Sequence, residues 1–96
     1  LNPFPFLTRW RVRRLAEAES RAALAAQSRT EAAARASRDA ADRARDARRW
    51  SEAAAQYRIY LAHFQDDAPL WVQLGHALKE VGDLPAAEGA YRLAAG

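Results

Sequence analysis

Between Arg9 and Arg49 the chain contains neither glycine nor proline. Ala, Arg, Glu and Asp dominate this stretch, and all of them are strong or tolerated helix formers. The stretch therefore predicts a single long helix, which would extend about 60 Å at ~1.5 Å per residue. Ser28 and Glu31 stand at the spacing of a capping box, so a break would fall at Ser28. The uniform composition on both sides favours continuity. Trp10, Leu15, Ala18, Ala22, Ala25, Ala32 and Ala36 recur roughly every three to four residues, interrupted by Arg29, and predict a mostly alanine seam. Such a seam lets another helix approach closely but supplies little adhesion per residue.

Ahead of this helix, Leu1 to Leu7 reads as an extended apolar arm, because Pro3 and Pro5 bias the residues before them away from helix. Thr8 is the expected cap of the helix that follows. Phe4, Phe6 and Trp10, together with Arg11 and Arg14, are the candidate interaction residues of this end. The basic set Arg9, Arg11, Arg13 and Arg14 around Trp10 and Val12 suits an anionic surface.

The second half carries the punctuation that the first lacks. Arg48 to Ser51 is the expected first turn, with Ser51 capping a helix that runs to about Phe64. This turn has no glycine, so a left-handed C-cap would have to be made by an unsuited residue or replaced by another geometry. Asp67 is the expected cap of the next helix, with Pro69 in its first turn. Gly82 then ends that helix, and Asp83 caps a last one with Pro85 in its first turn.

Trp71, Leu74 and Gly75 stand as W-x2-L-G, followed by Leu78, by Gly82-Asp83 at the turn, and by Ala87 and Tyr91 as A-x3-aromatic. The pattern resembles the tetratricopeptide repeat. Large anchors on one helix face small residues that admit the partner helix. Shifting the sequence by that family's 34-residue period places Ala53 on Ala87 and Tyr57 on Tyr91, so the last helix has an upstream copy. The first helix of that copy is weak, with Ser37, Ala40, Ala41 and Ala44 in place of Trp71, Leu74, Gly75 and Leu78. Leu78 itself stands where the family has an aromatic. The resemblance implies an all-α fold: a long N-terminal helix and then antiparallel helix pairs, a fragment of a right-handed α-solenoid. The expected segments are 1–34 for the arm and long helix, 35–67 for a degenerate repeat and 68–96 for a good one.

Half of the residues are hydrophobic, but many are alanine, so the expected core is thin and the unit close to the lower limit of independent stability. Oligomerisation would remedy that. Residues 1–50 carry twelve Arg against six acids, a net +6, and residues 51–96 carry three basic groups against six acids, a net −3. Opposite halves favour antiparallel association with a second copy, or an acidic partner at the N-terminal half. The absence of cysteine removes disulfides and thiolate chemistry. His63 and His76 lie on different predicted helices without a ligand spacing such as H-E-x-x-H. No serine sits at a nucleophile elbow, and no glycine-rich loop is placed to cradle phosphate.

These readings lead to a non-enzymatic scaffold that binds a protein or peptide and self-associates as a homo-oligomer. No cofactor, metal or catalytic residue is expected, and the expected compartment is the cytoplasm. The chain reads as a fragment of something longer. The run from Tyr57 to Tyr91 is also similar to repeats found beside bacterial glycosyltransferase domains, which implies an accessory segment of polysaccharide synthesis as an alternative. A third reading makes the basic N-terminal helix an anchor to a membrane surface or nucleic acid, with nucleic acid the less favoured; the basic set is short and Trp10 suits packing, so a solvated basic start to a long helix stands against both.

Overall fold

The structure, a computed structural model, describes residues 5–96, with side chains from residue 8 onward. Its elements are α1 (Pro5–Asp46), α2 (Trp50–His63), α3 (Ala68–Val81) and α4 (Leu84–Ala95). The fold is all-α, with no strand among the described residues. No helix among them is long and apolar enough to cross a membrane.

Helix α1 passes through Ser28 without interruption. Its start differs from the expected extended arm, since the helix begins at Pro5 and takes in residues 5–8. Proline fits a first helical position, where its fixed φ is helical and its missing N–H is not needed. Thr8 accordingly lies inside the first turns and is not the cap. Leu1–Phe4 and the side chains of Phe6 and Leu7 fall outside the described residues, including the Phe4 and Phe6 contacts expected of the arm.

The chain divides into two compact units, residues 1–30 and 31–96. In the first, every residue from Thr8 to Thr30 is exposed, so the seam positions Trp10, Leu15, Ala18, Ala22 and Ala25 have no core to face. The Thr30 hydroxyl donates to the Ala26 carbonyl at 2.9 Å, the i−4 back-bond of a threonine inside a helix.

The second unit holds the core. Ala34, Ala41 and Ala44 of α1 are buried against Ala53, Ala54, Tyr57, Tyr60 and Leu61 of α2 and Leu70, Leu74, Ala77 and Leu78 of α3, with Ala87 and Ala90 from α4. Helix α3 packs on both α2 and α4. On α1 the buried stripe is Ala34, Ala41 and Ala44, whereas the expected seam positions Ala32 and Ala36 are exposed. Alanines bring backbones close and bury little area each, so Tyr57 and Leu61, the largest fully buried side chains, supply much of the apolar transfer energy.

The turns explain where the helices stop. Helix α1 ends at Asp46, and Arg48 adopts the left-handed conformation with φ 58. Arg49 N–H donates to the Ala44 carbonyl at 2.8 Å and Arg48 N–H to the Arg45 carbonyl at 2.9 Å, the paired bonds of a Schellman motif. The same pair recurs at the end of α3, where Asp83 N–H donates to Leu78 and Gly82 N–H to Lys79, each at 3.0 Å, with Gly82 at φ 95. Ser51 is not the cap expected of it. Once the motif has closed, Arg49 is the N-cap of α2 and makes no side-chain cap bond, while Ser51 sits in the first turn. Arg49 instead pairs with Glu52 at 2.7 Å, and Glu52 places negative charge in that first turn, where it favours the exposed N–H groups. Asp67 and Asp83 do cap α3 and α4, accepting from Leu70 N–H at 3.4 Å and Ala86 N–H at 3.2 Å.

Candidate interaction surface

Trp71 stands in the first turn of α3 because Asp67 and Pro69 start the helix just before it. The sequence pattern suggests an anchor wholly between two helices, but the indole is only partly buried and packs against the edge of the core. Its Nε1 donates to the Gln65 carbonyl at 2.8 Å, which holds the ring in one orientation. With Gln65 it forms one wall of an open cavity of about 330 Å3, whose other walls are Arg58, Leu61 and Ala62 of α2 and Leu93 of α4. Leu93 is 58% exposed at its rim. The lining is mainly apolar, with one guanidinium among it, and such a hollow accepts an apolar side chain.

The other residues of the W-x2-L-G and A-x3-aromatic patterns stand outside the lining of this cavity, in two settings. Leu74, Gly75, Leu78, Ala53, Ala87 and Tyr57 are buried, whereas Gly82 is an exposed turn residue and Tyr91 remains 39% exposed. Gly75 and Tyr91 touch: a Cβ on Gly75 would stand 2.6 Å from Tyr91 Cε1. The positions 34 residues upstream, Ala41 and Tyr57, are both fully buried.

A polar cluster that sequence reasoning missed braces Tyr57. Its hydroxyl donates to Asp42 Oδ1 at 2.7 Å, while Arg45 Nη1 donates to the Tyr57 oxygen and to Gln73 Oε1, each at 3.3 Å. Arg45 also pairs with Asp42 at 3.4 Å and Asp46 at 3.0 Å. Helices α1, α2 and α3 are thereby joined through one guanidinium. Burial first, and then the hydrogen bond to the Asp42 carboxylate, push the Tyr57 phenol up to about 12. The available signal was that a buried tyrosine needs a partner for its hydroxyl; which residue of α1 supplies it depends on helix register.

Tyr60 and Phe64 form a second cluster, their rings stacked at 4.8 Å. Arg35 lies 5.0 Å from the Phe64 ring centre and Arg38 5.7 Å from that of Tyr60, both within cation–π range. The Tyr60 hydroxyl donates to Asp67 Oδ2 at 2.6 Å, and this bond, followed by burial, raises the phenol above its ordinary value. Asp67 thus serves α3 as a cap and α2 as an acceptor.

His76 lies 5.5 Å from Trp50, ring to ring, and 3.6 Å from Glu80. Among the described residues no three His, Cys, Asp or Glu side chains gather as a metal site. In the first unit, the candidates Trp10, Arg11 and Arg14 are all exposed. The Arg14 guanidinium lies 5.1 Å from the Trp10 ring centre.

No protein family, curated protein or solved structure matches the chain.

Proposed function

We propose that residues 35–96 are a non-catalytic protein-interaction module, two tetratricopeptide-like repeats forming a fragment of an α-solenoid, and that its first partner is a second copy of the chain. The repeat reading is supported by the equal spacing of equivalent features. The left-handed residues Arg48 and Gly82 are 82 − 48 = 34 positions apart, and the starts of α2 and α4, Trp50 and Leu84, are 84 − 50 = 34 apart. Small buried residues occupy both members of the pairs Ala41/Gly75 and Ala53/Ala87.

The interaction reading is carried by the cavity under Trp71 and Leu93. A hollow with Leu61, Ala62, Trp71 and Leu93 in its walls leaves apolar surface in water beside a core dominated by alanine. Covering it gives about 25 cal/mol per Å2 of apolar area buried, and Arg58 favours a partner that brings an acid beside its apolar side chain.

Sedimentation velocity on the intact chain and on Leu93→Asp tests this reading. The intact chain should associate as concentration rises from tens to hundreds of micromolar, and Leu93→Asp should stay monomeric with unchanged helicity. An intact chain that is monomeric throughout, or a variant that associates equally, would remove the cavity from the account.

A further inference from the structure

In the first unit, at ~3.6 residues per turn, Trp10, Arg11, Arg14, Leu15, Arg21 and Arg29 fall within one broad side of α1, flanked at its two edges by Glu17 and Glu19, the two acids among residues 1–30. All six are exposed, Trp10 at 55% and Leu15 at 65%. Residues 1–30 hold six Arg against those two Glu, a net +4, and residues 1–16 contain no acid at all. There is also no acid in the first turn of α1, so its exposed N–H groups and its arginines leave the same end positive.

We propose that this side of α1 lies on a membrane surface containing anionic lipid headgroups. The reading is independent of the cavity in the second unit. Three features select a flat anionic surface as the occupant. The four arginines are spread along the helix, from Arg11 to Arg29, about 27 Å apart at ~1.5 Å per residue, which suits a field of mobile charges. On this side the bulky apolar groups, Trp10 and Leu15, sit at the N-terminal end and enter the interface locally, whereas Ala18, Ala22 and Ala25, which continue the side, offer a partner helix little adhesion per residue. Trp10, with a guanidinium 5.1 Å from its ring centre, matches the headgroup boundary, where tryptophan and arginine are both stabilised. No described helix is apolar enough to span a bilayer, so the contact is peripheral.

The intact chain should be spun with vesicles of phosphatidylcholine alone and with vesicles one-third phosphatidylglycerol. Binding is expected only to the phosphatidylglycerol vesicles and should weaken as salt is raised. Arg11→Gln with Arg14→Gln should lower the partition coefficient about 25-fold, at about fivefold for each charge near an anionic surface. The charge-matched pair Arg43→Gln and Arg92→Gln, in the second unit, should change it less than twofold. None of these exposed side chains supports the core, so circular dichroism should show unchanged helicity in both variants. Equal binding to both vesicle types, no binding at millimolar phosphatidylglycerol, or tighter binding to an RNA or DNA oligonucleotide than to the vesicles would overturn the proposal.

Discussion

The ring of Tyr91 occupies the space that a methyl group on Gly75 would need, with Cε1, Cδ1 and Cζ at 2.6, 2.8 and 2.9 Å from the position of that methyl. Gly75 is therefore a packing residue within α3, kept despite a helix-propensity cost of about 1 kcal/mol relative to alanine. Gly75→Ala alone should destabilise by about 1–3 kcal/mol as the ring is displaced. In a Tyr91→Ala background the same substitution should become neutral or stabilising. Urea melts of the four members of this double-mutant cycle check the change of sign; additive effects would show that the contact carries no weight.

Arg48 makes with φ 58 the turn that Gly82 makes with φ 95. Only Gly82 lacks the Cβ that crowds the left-handed region. Arg48→Gly should stabilise the chain by about 1 kcal/mol, and Gly82→Ala should destabilise it by a similar amount. Thermal melts of the two variants should move in opposite directions.

Asp67 and Asp83 both cap helices, but only Asp67 also accepts the Tyr60 hydroxyl. Asp83→Ala should cost about 1 kcal/mol, as an ordinary cap does. Asp67→Ala should cost about 1–2 kcal/mol more, because it also leaves the hydroxyl of buried Tyr60 without its acceptor. Equal losses in chemical denaturation would show that Tyr60 finds water instead.

The Tyr57 phenol is raised from its ordinary value of 10 to about 12 in the folded chain. A group whose folded pKa is raised stabilises most below its unfolded pKa and loses that contribution as pH rises through the folded value. Stability should therefore fall between pH 10 and pH 12, by about 2–3 kcal/mol at most. Tyr57→Phe should be less stable at neutral pH, where Asp42 loses its donor, and should show a shallower fall in this window. Unfolding free energies compared at pH 9 and pH 11.5 check it.

The contrast between the two turns shows what could be read in advance. Gly82, Asp83 and Pro85 each carry a local conformational signal, so the end of α3 and the start of α4 were legible. Arg48 and Arg49 carry none, and Ser51 offered a false cap one residue inside the helix. The length of α1 was legible because nothing in it breaks a helix, but its start was not, since proline either precludes or opens a helix according to position. The apolar character of Trp71 was plain, whereas its partial exposure depends on how much of it Leu61, Ala62 and Leu93 leave uncovered. The link from Asp42 to Tyr57 and through Arg45 to Gln73 joins residues distant in sequence, and no spacing rule finds it.

The hollow walled by Arg58, Leu61, Trp71 and Leu93 is the protein-binding site we propose. Two-dimensional 1H–15N spectra recorded over rising protein concentration test it most directly, because Trp10, Trp50 and Trp71 each give a separate indole signal. The Trp71 Nε1–H signal and the amides of Arg58, Leu61, Ala62 and Leu93 should shift together and saturably, while the Trp50 indole stays in place. Shifts absent at every concentration, or centred on Trp50 and His76 instead, would contradict it.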